Sequence, residues 1–144
     1  MKVVRWFVAG LAFGIISQIV GGVIYGCIFA HWYDCCSQLF RPMDSPLFTI
    51  GLPVMNLVQG LLLAAIYPVF YKGIPTQKPI SKGVIFGLLL WIATALPGML
   101  TDFCVTKMRF PLPCLIYTLI TMVVGCLVIG AIWGKSLETE KKEE

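Results

Sequence analysis

The first hydrophobic stretch, Val3 to Ala30, constrains this chain more than any other feature. After Arg5 it contains no charged residue. About 20 apolar residues at roughly 1.5 Å rise per residue cross a hydrocarbon core of about 30 Å, so this stretch is long enough to span a bilayer. It also exceeds the apolar core of a signal peptide, which is about 7–15 residues long, so we expect it to be retained.

Three further apolar stretches follow, and together the four define the predicted fold. They are Val3–Ala30, Leu47–Tyr71, Ile80–Leu100 and Leu112–Trp133, joined by short connections. Short connections predict that consecutive helices are antiparallel neighbours. Transmembrane strands are about 9–11 residues long and alternate in polarity, unlike these runs. The expected fold is an all-α integral membrane protein, a four-transmembrane-helix up-and-down bundle.

The charged residues are few, and their distribution predicts the orientation of the bundle. Only 12% of the chain is charged, against about 25% in soluble domains. Eight of the 11 Lys and Arg residues lie at the N-terminus, in the second connection or its border, and in the tail; the other three are Arg41, Lys107 and Arg109. The positive-inside rule therefore predicts cytoplasmic termini, and we expect a bacterial inner membrane. Charges placed this way set topology and do not indicate nucleic-acid binding.

The sequence predicts one transmembrane domain, residues 1–134, followed by a charged cytoplasmic tail, residues 135–144. Small residues form one face of each helix at 100° per residue, which predicts helix packing, since close approach drives helix association in lipid. The predicted packing residues are Gly10, Gly14, Ser17, Gly21, Gly60, Gly83, Gly87 and Gly125. Gly22, Gly26, Gly130 and Gly134 fall off these faces, so we expect them to meet lipid, partner membrane proteins or a second copy of the chain.

Helices one and three share a phrase, Ala9–Gly14 (AGLAFG) beside Lys82–Gly87 (KGVIFG). The second pair of helices could therefore repeat the first, as two parallel copies of one helical hairpin.

Polar side chains within the apolar runs allow a second interpretation of the helix faces. Gln18, Asn56, Gln59 and Thr94 could line a polar crevice. Buried amides also bond commonly across membrane helices, so packing is the leading interpretation and the crevice is the alternative. The crevice would suit transport of a small neutral solute or lipid, because no ionisable residue lies deep in any run.

The six cysteines are the other informative polar residues. Under the predicted topology Cys35 and Cys36 lie in the first outer connection, while Cys104 and Cys114 flank the second. An outer face permits disulfides, so these four are disulfide candidates with three possible pairings, and a bond between the two connections is the expected form. A weaker metal alternative uses His31 with Cys35 and Cys36, since thiolates and imidazole bind soft cations.

Four runs, cytoplasmic termini and a cysteine pair near each outer connection resemble the disulfide bond formation protein B family. The resemblance implies thiol oxidation with a quinone as cofactor. It implies redox roles for Cys35, Cys36, Cys104 and Cys114, with Arg41 near the quinone. In that family the first pair is C-x-x-C, whereas Cys35 and Cys36 are adjacent.

Longer phrases resemble uncharacterised small four-span bacterial inner-membrane proteins. They are FVAGLAFGIISQIVGGVIYGCIF, NLVQGLLLAAIYPVFYKG and KGVIFGLLLWIATALPGML. This resemblance implies a four-helix fold and no particular activity. The leading functional hypothesis is a non-enzymatic accessory or structural component without a cofactor. Thiol redox or soft-metal handling, and transport of a neutral solute or lipid, are the alternatives.

Overall fold

The computed structural model describes residues 2–31, 45–105 and 112–143. Every regular element in these ranges is helical, and they contain no strand. Four helices are long and apolar enough to cross a membrane: Val3–Ile28, Thr49–Tyr71, Pro79–Thr101 and Cys114–Trp133. The prediction of an all-helical chain with four candidate spans is thereby confirmed. We number them spans 1 to 4.

Three of the four spans combine α-helix with a π-helical turn. Span 1 consists of α1 (Lys2–Val23) and π1 (Ile24–Ile28), and span 2 of π2 (Leu47–Gly51) and α2 (Leu52–Tyr71). Span 3 consists of α3 (Pro79–Leu90), π3 (Trp91–Ala95) and α4 (Leu96–Val105), whereas span 4 is the single helix α5 (Leu112–Glu143). Helix α5 thus continues past Trp133 into the charged tail.

Two of the π-helical turns are explained by prolines that follow them. Pro53 is the second residue of α2 and Pro97 the second residue of α4. A proline has no N–H, and its ring collides with the carbonyl four residues earlier. That carbonyl belongs to Thr49 in π2 and to Ala93 in π3, and a π-helical turn shifts the hydrogen-bond pattern there. Each such turn inserts about one residue and rotates the faces of the helix on either side of it.

Spans 1 and 2 pack antiparallel. Gly10 and Gly14 of α1 meet Leu61 and Leu57 of α2, so residue numbers rise along one helix and fall along the other. Span 4 packs against both span 1 and span 3. We call the end with residue 2, the 72–78 connection and Trp133 the near end. The far end contains Ile28, Leu47, Val105 and Leu112.

Glycine brings the backbones of α1 and α2 into direct contact. A Cβ atom on Gly10 would lie 2.8 Å from the Cα of Leu61, and one on Gly14 would lie 3.1 Å from the Cα of Leu57. On the opposite helix, a Cβ atom on Gly60 would collide with the carbonyl oxygen of Gly10. The two helices can approach this closely only because these positions have no side chain.

The pair α3 and α5 is packed in the same way. A Cβ atom on Gly83 would collide with the Cys126 carbonyl oxygen, and one on Gly87 would lie 2.5 Å from the Met122 carbonyl oxygen. Gly130 approaches Pro79 from the other side, with 2.7 Å between its ideal Cβ position and the Pro79 carbonyl oxygen. Gly130 therefore lies in a packed seam, contrary to the sequence prediction.

Corresponding phenylalanines join the two helical hairpins. Phe13 and Phe86, each three residues after the first glycine of the shared phrase, are 0% and 2% exposed. Phe13 of span 1 packs against Gly125 of span 4. Phe86 of span 3 lies 5.3 Å, centroid to centroid, from the ring of Tyr67 in span 2. The internal similarity in the sequence thus corresponds to equivalent packing roles.

The apolar core lies towards the near end. No member of the main buried cluster is more than about three helical turns from the near end of its span. Its members are Ala9, Phe13, Leu63, Ala64, Tyr67, Tyr71, Ile74, Phe86, Met122, Cys126, Ile129 and Trp133. The near half of the molecule is therefore the packed half.

A lysine at the start of span 3 contacts the end of span 2. Lys82, in the first turn of α3, is only 9% exposed. Its Nζ donates a 2.8 Å hydrogen bond to the Tyr71 carbonyl oxygen at the end of α2 and lies 3.9 Å from the centre of the Tyr71 ring. A cation suits the carbonyl end of a helix, so Lys82 stabilises the C-terminus of α2 while tying α3 to it.

Candidate polar binding site

The far half of the molecule contains a cluster of polar side chains. We define the polar cluster as Gln18 of α1, Asn56 of α2, and Tyr117 and Thr121 of α5. Asn56 is 8% exposed and Thr121 is 5% exposed, while Gln18 and Tyr117 are partly buried. The Tyr117 hydroxyl lies close enough to the side chains of Thr121 and Asn56 to interact with both, although neither contact has the geometry of a hydrogen bond. Gln18 shares a face of α1 with Gly14 and Gly21, which lie against Asn56 and Tyr117 respectively. Three helices therefore bring polar residues to the same region of the bundle.

Three atoms of the polar cluster are buried without a hydrogen-bond partner. They are Gln18 Nε2, Asn56 Nδ2 and Thr121 Oγ1. Two other buried polar residues differ, because Ser17 Oγ donates to the Phe13 carbonyl oxygen at 2.9 Å and Lys82 Nζ donates to the Tyr71 carbonyl oxygen. Buried polar groups are nearly always hydrogen-bonded, so three unpartnered polar atoms in one region require an explanation.

Two more buried polar atoms lack partners, but their position differs. Thr76 Oγ1 lies in the connection between spans 2 and 3, and Trp133 Nε1 lies at the last residue of span 4. Both belong to the near end, where tryptophan side chains commonly sit at the level of lipid headgroups. Their position at one end of the bundle separates these two atoms from the polar cluster.

Two separate side-chain hydrogen bonds border the polar cluster towards the far end. The Tyr25 hydroxyl donates to Cys114 Sγ at 3.1 Å, and the Tyr25 and Tyr117 rings are 5.3 Å apart. Trp91 Nε1 donates to Thr118 Oγ1 at 3.1 Å. These contacts hold spans 1 and 3 to span 4 at the level of the cluster.

Beyond Trp91, span 3 leaves the bundle. Within the described ranges, α4 makes nearly all of its contacts with π3, the turn before it. Ala93 and Thr94 are exposed, and a Cβ atom on Gly98 would meet nothing within 4 Å. The far half of span 3 therefore stands apart from spans 1 and 2.

Spans 2 and 3 approach each other closely only near their connected ends. The Tyr67 hydroxyl donates to the Pro79 carbonyl oxygen at 3.4 Å, and the Phe70 and Phe86 rings are 5.8 Å apart. Asn56 lies about three turns farther along α2. Leu89, one turn beyond Phe86 on α3, is already 55% exposed. Within the described ranges, the far half of α2 is therefore not packed against the π3–α4 segment. We call the gap between these two elements the lateral opening.

The structure separates the four residues of the predicted crevice. Gln18 and Asn56 lie in the polar cluster, and Gln59 is half-buried on α2. Thr94 is exposed, and its hydroxyl donates to the Leu90 carbonyl oxygen of its own helix at 2.7 Å. A constant step of 100° per residue from Gly83 and Gly87 would put Thr94 and Gly98 on the packed face of span 3, but π3 rotates that face before it reaches them.

Sequence reasoning did not include Tyr117 and Thr121 in the crevice. Thr121 falls on the small and polar face of span 4, one turn from Gly125, and that face was the available signal. Tyr117 gave no comparable signal, because a tyrosine near the end of an apolar run is typical of a membrane interface.

The predicted packing residues are placed as follows. Gly10, Gly14, Gly60, Gly83, Gly87 and Gly125 all lie at close helix contacts, Gly21 faces the Tyr117 ring, and Ser17 is buried. Gly22 and Gly26 are exposed and have nothing within 4 Å of an added Cβ atom. The environment of Gly134 lies outside the described part of the structure.

The disulfide prediction requires correction at two of its four cysteines. Cys104 and Cys114 are both free thiols. Cys114 instead faces Tyr25 across the contact between spans 1 and 4, while Cys104 is exposed on α4, which stands apart from the bundle. Cys35, Cys36 and Arg41 lie outside the described residues.

The metal alternative finds no support in the ranges described. No group of three or more His, Cys, Asp or Glu side chains comes together there in a way that could hold a metal ion. His31 is exposed at the far end of span 1, and its proposed co-ligands Cys35 and Cys36 lie outside these ranges.

Comparison of the chain with protein-family models, with curated proteins and with solved structures gives no match. The resemblances to the four-span inner-membrane proteins and to the disulfide bond formation protein B family therefore rest on the quoted phrases and on loop placement alone. The candidate site is characterised by its own geometry: buried hydrogen-bond donors without partners, beside a lateral opening.

Proposed function

We propose that this chain is a non-enzymatic integral membrane protein that binds a small neutral molecule at the polar cluster and assists its passage. The observation that carries the proposal is the set of three buried, unpartnered polar atoms contributed by three different helices. The proposal follows one of the alternatives raised by the sequence, and the placement of Gln18 and Asn56 supports it.

The energetic argument concerns what an unpartnered polar group costs. Leaving one buried donor unsatisfied costs about 1–3 kcal/mol, and the low dielectric of a bilayer does not reduce that penalty. A leucine or valine at the same positions would remove the penalty. Groups that are costly in the empty state become favourable once a ligand supplies their hydrogen bonds, which is the usual trade between stability and function.

The proposed orientation places the near end in the cytoplasm of a bacterial inner membrane. Most of the chain's basic residues lie in segments at that end, among them Arg5, Lys72 and Lys78. The positive-inside rule supports this assignment. The polar cluster would then lie in the outer half of the bilayer, nearer the non-cytoplasmic surface.

A copurification experiment tests the proposed function. The full chain and the Asn56→Leu/Thr121→Val double variant are extracted in mild detergent, and the small molecules retained by each are compared by mass spectrometry. We expect one species close to stoichiometric with the full chain and depleted in the double variant. Thr94→Val is the matched control, because Thr94 is exposed and bonded to its own helix. Equal retention by all three proteins would refute the proposal.

A second candidate function is the accessory role that leads among the sequence hypotheses. Its support is the Gly22–Gly26 pair, which has the spacing of Gly10–Gly14 but meets nothing in the bundle. A transmembrane helix of a partner protein could pack there as α2 packs on Gly10. Gly22→Ile/Gly26→Ile should then release a copurifying partner protein while leaving the fold intact. Retention of the same partners by this variant would exclude the pair as the interface.

A further inference from the structure

The available hydrogen-bonding groups at the polar cluster define the chemistry of its ligand. Two of the three unpartnered atoms are amide nitrogens, Gln18 Nε2 and Asn56 Nδ2, which can only donate. The third, Thr121 Oγ1, is a hydroxyl that can donate as well. A ligand that satisfies all three must therefore present acceptor oxygens.

The charge of the ligand follows from the side chains around the site. Every member of the polar cluster is uncharged. The one buried lysine of the described chain, Lys82, is at the opposite end and donates to the Tyr71 carbonyl oxygen. A phosphate or carboxylate would lose its hydration there without gaining a counter-charge, which is strongly unfavourable in an apolar surrounding. The site therefore fits a neutral acceptor such as an ester or ketone carbonyl.

The route to the site indicates that the ligand is soluble in lipid. The lateral opening separates α2 from the part of span 3 that leaves the bundle, and exposed residues of that part of span 3, such as Leu89 and Ala93, are apolar or small. On the other side of the cluster, spans 1 and 4 stay in contact as far as Tyr25 and Cys114. A molecule therefore reaches the cluster from the bilayer more easily than past this closed contact.

We propose that the polar cluster binds the carbonyl oxygen of a neutral lipid, such as a diacylglycerol, that enters from the bilayer through the lateral opening. This inference rests on the proposed function and specifies its ligand. The amide nitrogens of Gln18 and Asn56 and the hydroxyl of Thr121 donate to the ester carbonyls. The acyl chains remain in the opening bounded by α2 and the π3–α4 segment, against apolar side chains.

Photolabelling tests the ligand class. The full chain is reconstituted in nanodiscs of ether-linked phosphatidylcholine, whose lipids have no ester carbonyl. One probe is a diacylglycerol with a diazirine beside its ester; the matched probe is an alkyl chain with the same diazirine and no oxygen. The ester probe should label peptides of α2 and α5 that border the cluster. Asn56→Leu should reduce that labelling about tenfold, the effect of losing one good hydrogen bond, and leave labelling by the alkyl probe unchanged.

Two further variants test whether the ligand enters through the lateral opening. Ala93→Trp places a large ring at the lateral opening and should suppress labelling by the ester probe. Ala65→Trp is the matched control, because Ala65 is exposed on the face of α2 opposite Asn56 and should leave the labelling unchanged. Glycerol triacetate in the aqueous phase presents the same esters without long chains and should not compete.

The possible outcomes separate this inference from the proposed function. Equal labelling by the two probes would overturn the assignment of a carbonyl ligand. Labelling by the ester probe that Asn56→Leu does not reduce would overturn it as well. Competition by glycerol triacetate together with normal labelling of Ala93→Trp would overturn access from the bilayer. If a copurifying species depends on Asn56 and Thr121 but the ester probe does not label the cluster, the proposed function stands and this inference fails.

Discussion

The near and far halves of this molecule are built from the same four spans but differ in how tightly the spans pack. In the near half, glycine contacts such as Gly10 on Leu61 and Gly83 on Cys126 bring helix backbones together around a continuous aromatic and aliphatic core. In the far half, the π-helical turns interrupt three spans, one span departs from the others, and buried donors lack partners. The close packing is concentrated in the near half, and the far half contains the polar cluster for which we propose a ligand.

The contrast is sharpest between two contacts that the internal repeat would make equivalent. Spans 1 and 4 stay in contact from Phe13 to Tyr25, whereas the corresponding spans 3 and 2 separate beyond Phe86. Pro97 accounts for much of the difference, because it requires the π-helical turn that redirects span 3. A packed seam between spans 1 and 4 therefore has an opening between spans 3 and 2 as its counterpart.

The largest expected effect concerns the packed half. Gly83→Leu should destabilise the fold by about 3 kcal/mol, since its Cβ atom would meet the Cys126 backbone and the helices would have to separate. Thermal unfolding in detergent measures the loss. Gly22→Leu is the matched control on an open face and should change the midpoint little. Similar losses of stability in both variants would contradict the distinction between glycines at helix contacts and glycines on open faces.

The next effect concerns the lysine at the near end. Lys82→Met should cost about 2 kcal/mol, because the charged hydrogen bond to the Tyr71 carbonyl oxygen and the contact with its ring disappear together. Chemical unfolding of the reconstituted protein gives the value. Lys72→Met, at an exposed position one residue after α2, should be nearly neutral. If Lys82→Met left the free energy of unfolding unchanged, the contacts of Lys82 with Tyr71 would not stabilise the packing of spans 2 and 3.

A smaller effect is expected at the contact between spans 1 and 2. Trp6→Phe should cost about 1 kcal/mol, because Trp6 Nε1 donates a 2.8 Å hydrogen bond to the Leu61 carbonyl oxygen while most of the ring's packing is kept in the variant. Phe7→Leu, at an exposed neighbouring position, serves as the comparison. If the two variants unfold alike, the tryptophan hydrogen bond adds nothing to the near half.

The sequence was sufficient to predict the helices and most of their packing faces. Long apolar runs define spans wherever they occur, and the second run, Leu47–Tyr71, matches the observed helical segment at both ends. Glycines at a spacing of four residues indicated the contacts of Gly10 and Gly14 and of Gly83 and Gly87. These properties depend on local pattern alone, which is why they could be predicted without the structure.

The site was only partly predictable, for two physical reasons. Gln18 and Asn56 stand out because an amide is conspicuous in an apolar run, but whether its nitrogen is bonded depends on the distances between helices. The direction of Thr94 depends on π3, and a constant 100° step cannot anticipate a turn that inserts a residue. The departure of α4 is a tertiary feature with no local signal beyond Pro97.

The central claim is that the polar cluster costs stability in the empty protein, and Thr121→Val tests it most directly. The substitution keeps the shape of the side chain and removes only a buried hydroxyl without a partner. We predict that the unfolding midpoint of the detergent-extracted protein, stripped of bound lipid, rises by an amount equivalent to about 1 kcal/mol. A fall of similar size would mean that the hydroxyl is bonded across helices as structural support, and the account of a ligand site would be contradicted.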